Sequence, residues 1–133
     1  MKRSTLREIA VVTSGFTALT LLLTYPQVLV LDSAVGWFYD ALFSVWRLSW
    51  VAHALLHQPA HLFDANIFYP ERHTLGYSEA MIVQGVIALP VIAAGGSPVL
   101  AFNVVLLTGF VFTGWAFWLL TTRWTGSRSS CLA

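Results

Sequence analysis

The sequence predicts an all-α membrane protein: three transmembrane helices, with an interfacial amphipathic helix in a long first extracytoplasmic loop. Three observations predict it. Of the 133 residues, 57% are hydrophobic and only 10% charged, against about 25% charged in a typical soluble domain. The mean hydropathy is +0.72. The apolar residues come in blocks, and the 7 Lys+Arg and 6 Asp+Glu lie mostly between the blocks or at the ends. Water could not hydrate the surface of so small a protein with so few charges.

The first block, residues 9–31, carries no charge and follows the basic head of Lys2, Arg3 and Arg7. At about 1.5 Å per residue a helix of this length spans a hydrocarbon core of about 30 Å. A cleaved signal peptide shares the basic head, but its apolar region is shorter, about 7–15 residues. Here the apolar run continues through Tyr25, Pro26 and Val28 to Val30, which favours a retained span. The second block, residues 80–95, follows Ser78 as N-cap and Glu79 in the first turn, and Pro90 should kink it. It is short for a span. Gly95-Gly96-Ser97-Pro98 reads as a tight connection, with Ser97 capping and Pro98 in the first helical position. The third block, residues 99–122, is uncharged and ends on Trp115, Phe117 and Trp118 before Arg123, an interface anchor.

Between the first two blocks, residues 32–79 hold five of the six acids and all four histidines, at 53, 57, 61 and 73. Ala41, Val45, Leu48, Ala52 and Leu55 recur at helical spacing and define a helix over 41–57 that Pro59 stops. Trp46, Trp50, His53 and His57 fall on a second face, and Asp40, Ser44, Arg47 and Val51 on a third. Arg47 in mid-bilayer would cost several kcal/mol, so the helix is expected at the interface with its tryptophans at headgroup level. A fourth span is the alternative. Residues 63–72 read as an ordered loop, too aromatic for a flexible linker, folded against the membrane surface or the protein.

The positive-inside rule puts the N-terminus in the cytoplasm of a multi-pass inner-membrane protein and residues 32–79 outside. Three spans then leave Arg123 and Arg128 outside, against that rule; a fourth span over 41–57 would remove the conflict but bury Arg47. A net charge of +1 argues against a nucleic-acid binder, which would show a basic face. The single cysteine, Cys131, excludes an internal disulfide framework. No Gly-rich phosphate loop, Ser/His/Asp arrangement or paired-Cys motif is present.

Candidate site residues carry two readings each. Asp40 is either the N-cap of the loop helix or a catalytic carboxylate that takes a proton or binds a metal. Glu79 either favours a helix N-terminus or is a second carboxylate of the same cleft. Arg47 and Arg72 offer bidentate forks to a substrate phosphate or to lipid phosphates. His53 and His57 have a spacing that can hold a metal, but no matching Cys or Glu completes a set, and His61 and His73 could join only by loop folding. Gln84 and Asn103 should face neighbouring helices, because a lipid-facing amide is costly.

The strings from Trp50 to Leu55, from Pro59 to Leu75 and from Tyr77 to Glu79 resemble the N-terminal region of bacterial multi-span glycosyltransferases of the C-type superfamily (GT-C), which take sugars from polyprenyl-phosphate donors. The block Pro98 to Asn103 and the closing Leu119 to Gly126 fit the same pattern, so the resemblance covers Thr24 to Gly126. It implies sugar transfer to an acceptor hydroxyl. Asp40 would be the essential acid of the first loop, with Asp32 as fallback, and Glu79 a further acid of the cleft. The acid would act as general base or hold a divalent metal while an arginine steadies the phosphate. Family members have several hundred residues and roughly eight or more spans. The chain is therefore expected to be an N-terminal fragment, inactive alone and completed by further transmembrane helices. A small non-catalytic membrane subunit that packs against partner helices is the rival reading.

Overall fold

The computed structural model describes residues 3–36 and 38–125, with the backbone alone for 3–5 and 125. Lys2, the Arg3 side chain, Gly126, Arg128 and Cys131 lie outside the described side chains. Four α-helices follow one another: α1 (Arg3–Leu23), α2 (Tyr39–His57), α3 (Ile82–Ala93) and α4 (Pro98–Thr125). Short 3-10 turns cover Gln27–Leu29, Pro59–His61 and Thr74–Tyr77, and no strand occurs among the described residues. The all-helical class is as the sequence predicts.

Among the described residues, two helices are long and apolar enough to cross a membrane. Leu6–Leu23 supplies 18 residues and Pro98–Trp124 supplies 27, or about 27 and 40 Å of helix. Only 11% and 17% of these windows are buried, far from the pattern of a soluble protein's core helix. Such surfaces suit lipid contact and association with a membrane.

The boundaries differ from expectation in three places. The block 9–31 is helical only to Leu23; Thr24 closes on Thr20, and the chain turns through Tyr25 and Pro26 into a 3-10 turn. Proline has no N–H for the ladder, which stops the helix here. The second block yields the 12-residue α3, about 18 Å long and short of a 30 Å crossing. Ser78 does not cap it. Ser78 is extended (φ −142°, ψ −169°), and Met81, at φ 50°, precedes the first turn.

The α3–α4 connection forms as its residues dictate. Gly96 N–H donates to Val91 O (2.9 Å) and Gly95 N–H to Ile92 O (3.0 Å), with Gly95 at φ +86°. This is a Schellman closure whose left-handed residue favours glycine. Pro98 opens α4, and Leu100 N–H donates to Ser97 Oγ at 3.0 Å.

The chain divides into two compact units. One comprises the chain up to Val28 and from Leu106 onward. There the Phe16 ring packs directly on Gly114, and Trp115 Nε1–H donates to Thr13 Oγ1 at 3.1 Å. Hydroxyls of Thr13 and Thr113 donate to carbonyls four residues back, so these apolar helices carry satisfied polar groups.

The other unit, Leu29–Val105, holds α2, α3, the beginning of α4 and the intervening loops. Leu48, Ala88 and Ala101 form a three-helix core, and Val51 seats against Gly85, where even a methyl group would collide. Trp50, Val51, Ala54, Ala65 and Leu75 form a second cluster under the loop. Helix α2 ends at His57 as expected, and two of its tryptophans bond the loop that follows. Trp50 is buried and donates to Leu62 O (2.8 Å), and Trp46 donates to Asn66 Oδ1 (3.1 Å). Two loop carbonyl-bearing groups need donors, and the indoles supply them.

Candidate functional site

Arg47 is the centre of the candidate site, all of it within the Leu29–Val105 unit. Its residue is only 9% exposed. Nη1 donates to the backbone O of Glu79 at 3.0 Å and Nη2 to Ser44 Oγ at 2.8 Å. The guanidinium carbon stands 4.6 Å from the centroid of the Phe43 ring, a cation–π contact. Helical spacing explains the local part: Ser44 is three residues before Arg47 and Phe43 four before, so both reach it from the preceding turn. The long-range part comes from the extended chain at Ser78, which leaves the Glu79 carbonyl free of α3 and turned to Arg47.

Among the described residues nothing anionic pairs with this charge. Among the described residues the ion pairs are those of Asp64 with His61 and His73. Arg47 Nε is buried and has no hydrogen-bond partner among them. A cation withdrawn from water with only neutral partners is costly, by several kcal/mol for an isolated ion, and an arriving anion would offset that cost.

The structure brings together some of the sequence candidates and not others. Asp40 lies in the first turn of α2, with Phe38 as the preceding cap residue, so Asp40 is not the N-cap. It is exposed and sits seven residues before Arg47 on the same helix face. Glu79 meets Arg47 through its main chain while its carboxylate is exposed. Arg72 is exposed in the loop and makes no hydrogen bond with Arg47, Asp40 or Glu79. Asp32, the fallback acid, accepts the Ser97 hydroxyl and so ties the turn after α1 to the start of α4. Gln84 is exposed on α3. Asn103 is fully buried, but its amide bonds a turn and not a helix: Nδ2 donates to Leu31 O (2.7 Å) and Ala34 O (2.8 Å).

Sequence reasoning missed a clasp in the loop. Asp64 accepts His61 Nδ1 at 3.1 Å, His73 Nδ1 at 3.2 Å and the His73 backbone N–H at 3.0 Å. The His61 side-chain bond, then the His73 backbone bond, hold the Asp64 carboxyl below its ordinary value of 3.8. The three-residue spacing of His61 and Asp64 was the one visible signal; His73 arrives only because the loop folds back. His53 and His57 stack at 4.6 Å on exposed helix surface. No three acidic, histidine or cysteine groups among the described residues are placed to hold a metal ion.

In the unit of α1 and the end of α4, an apolar groove of about 430 Å³ is lined by Phe16, Leu19, Leu23, Phe110 and Phe117. It contains no titratable group and can do no acid–base chemistry.

Comparison of the chain with protein-family models, with curated proteins and with solved structures finds no match in any of the three.

Proposed function

We propose that the chain is a membrane part of a glycosyltransferase that moves a sugar from a polyprenyl-phosphate donor to an acceptor hydroxyl. The observation that carries this reading is the buried, uncompensated Arg47, held where α2 meets the approach to α3. A phosphate is the anion that best suits a planar guanidinium with N–H groups still to donate, the buried Nε–H among them. Asp40, exposed on the same helix face, is the general base or holds a divalent metal. Glu79 flanks the site, and Arg72 serves lipid or donor phosphates from the loop. In this reading the N-terminus is cytoplasmic and residues 32–79 are extracytoplasmic. Helix α1 and α4 cross the membrane, α3 is a third span lengthened by its flanks, and further transmembrane helices complete the enclosure of the donor.

The string resemblance from Thr24 to Gly126 supports the donor class, and the burial of Arg47 without an acidic partner among the described residues supports the assignment of phosphate to Arg47. The test is sugar transfer in cells that co-express the chain with membrane proteins encoded beside it. Asp40→Asn should abolish transfer while binding of a polyprenyl phosphate, read by native mass spectrometry, persists. Arg47→Met should lose the binding. Undiminished transfer by Asp40→Asn removes that acid from the mechanism, and undiminished binding by Arg47→Met removes the phosphate assignment.

The apolar groove between Phe16 and Phe110 favours a second reading, a non-catalytic subunit whose groove receives a partner's helix. A single partner co-purifying in stoichiometric amount, with no lipid-phosphate binding, would select it.

A further inference from the structure

The loop over 63–77 has one side built into the protein and one side turned away from it. Leu75 and Ala65 are buried under α2, Thr74 Oγ1–H donates to Ala65 O at 3.0 Å, and Leu75 N–H donates to Phe63 O at 3.1 Å. The opposite side is aromatic. Phe68, Tyr69 and Tyr77 are exposed, Tyr69 by 97%. Phe68 and Tyr77 stack on each other at 6.0 Å.

Phe68 also holds a left-handed backbone, φ 59°. A bulky residue rarely adopts that region, and such strain persists only where the surroundings over-determine it. The Phe68 ring lies outside the protein's own core. Tyr77 lies five residues before α3, and that helix exposes Val83, Val86 and Ile87. An exposed aromatic stack is therefore continuous in sequence with the start of an apolar helix. Tyrosine rings, with an apolar body and a polar tip, favour the headgroup layer at such a position, and the Phe68 ring adds apolar surface beside them. Arg72, exposed in the same loop, adds a cation suited to headgroup phosphates.

We propose that residues 68–77 anchor the loop in the lipid headgroup layer at the start of α3, with Phe68, Tyr69 and Tyr77 as the inserted rings. The occupant of this surface is lipid and not protein. The anchor holds whether or not the chain takes part in sugar transfer.

The test uses the full chain with Cys131→Ser, Tyr69→Cys and an environment-sensitive fluorophore on the new thiol, in vesicles of phosphatidylcholine and phosphatidylglycerol. Quenching by nitroxide carried near the lipid headgroup should be strong, and quenching by aqueous iodide should fall severalfold below that of the free dye. Adding Phe68→Ser and Tyr77→Ser should restore iodide access while far-ultraviolet circular dichroism keeps its helical content. Full iodide access in the first variant overturns the anchor. So does protection from both quenchers, which would mean that protein covers the rings.

Discussion

Replacing Gly85 by alanine tests a close approach of α2 and α3 in the Leu29–Val105 unit. An alanine Cβ at this site would stand 2.7 Å from Val51 Cβ and nearer still to Val51 Cγ1, whereas carbons pack best at about 3.5–4.0 Å. Val51 Cβ is tied to the α2 backbone, so no side-chain rotation relieves the collision and α2 and α3 must part by about 1 Å. Overpacking of this kind costs about 1–3 kcal/mol. Alanine returns up to about 1 kcal/mol through its better helix propensity, leaving a net loss of about 1–2 kcal/mol. Reversible unfolding in mixed micelles at rising dodecyl sulfate fraction, followed by tryptophan fluorescence, reads this difference. Val51→Ala removes both Cγ methyls, so the double variant should lose less than the sum of the single losses, with a coupling of about 1 kcal/mol. If Gly85→Ala is instead neutral or stabilising, as at a glycine on an open helix surface, Val51 does not sit on Gly85 and the packing of α2 on α3 is refuted.

Asn103→Leu should destabilise the same unit by about 1–3 kcal/mol, because the carbonyls of the half-buried Leu31 and Ala34 lose their donor; the same micelle titration measures it, and no measurable loss would contradict the contact. The Asp64 clasp should weaken in acid. Its carboxyl is lowered in the folded state, chiefly by the His61 side-chain bond and then by the His73 backbone bond, so folded Asp64 binds its proton less readily than the unfolded chain. The stabilisation is complete above the ordinary carboxyl value of 3.8 and drains away as pH falls through the lower folded value. Protease cleavage within 58–77 should therefore rise in that acidic window, and Asp64→Asn should be cleaved faster at neutral pH with little further change in acid.

The sequence alone determined the local structure. Pro59 ends α2 because it cannot continue the ladder. Ser97, Pro98 and Gly95 set the α3–α4 connection because a cap, a fixed φ and a left-handed residue act within a few positions of themselves. The long uncharged runs mark α1 and α4 because transfer from water depends on composition more than on neighbours. Where the sequence reading and the fold part, the deciding group lies far along the chain. The end of α1 at Leu23 is a local effect of Pro26, legible but outweighed in the reading by continuous hydropathy. Ser78 fails as a cap because the Glu79 carbonyl goes to Arg47, 32 residues away.

Helical spacing placed Arg47 on one face with Asp40 and Ser44, but it could not say what that face meets. Only the packing of α2 against α3 and the chain before it buries Arg47 within the protein, with no acid among the described residues to pair it. Likewise Trp50 turns inward and Trp46 reaches the loop because Leu62 and Asn66 supply acceptors, and Asp64 gathers two histidines nine positions and three positions away. Periodicity fixes the direction of a side chain relative to its own helix. Its solvent, its partners and therefore its chemistry belong to whatever the rest of the chain brings to that side.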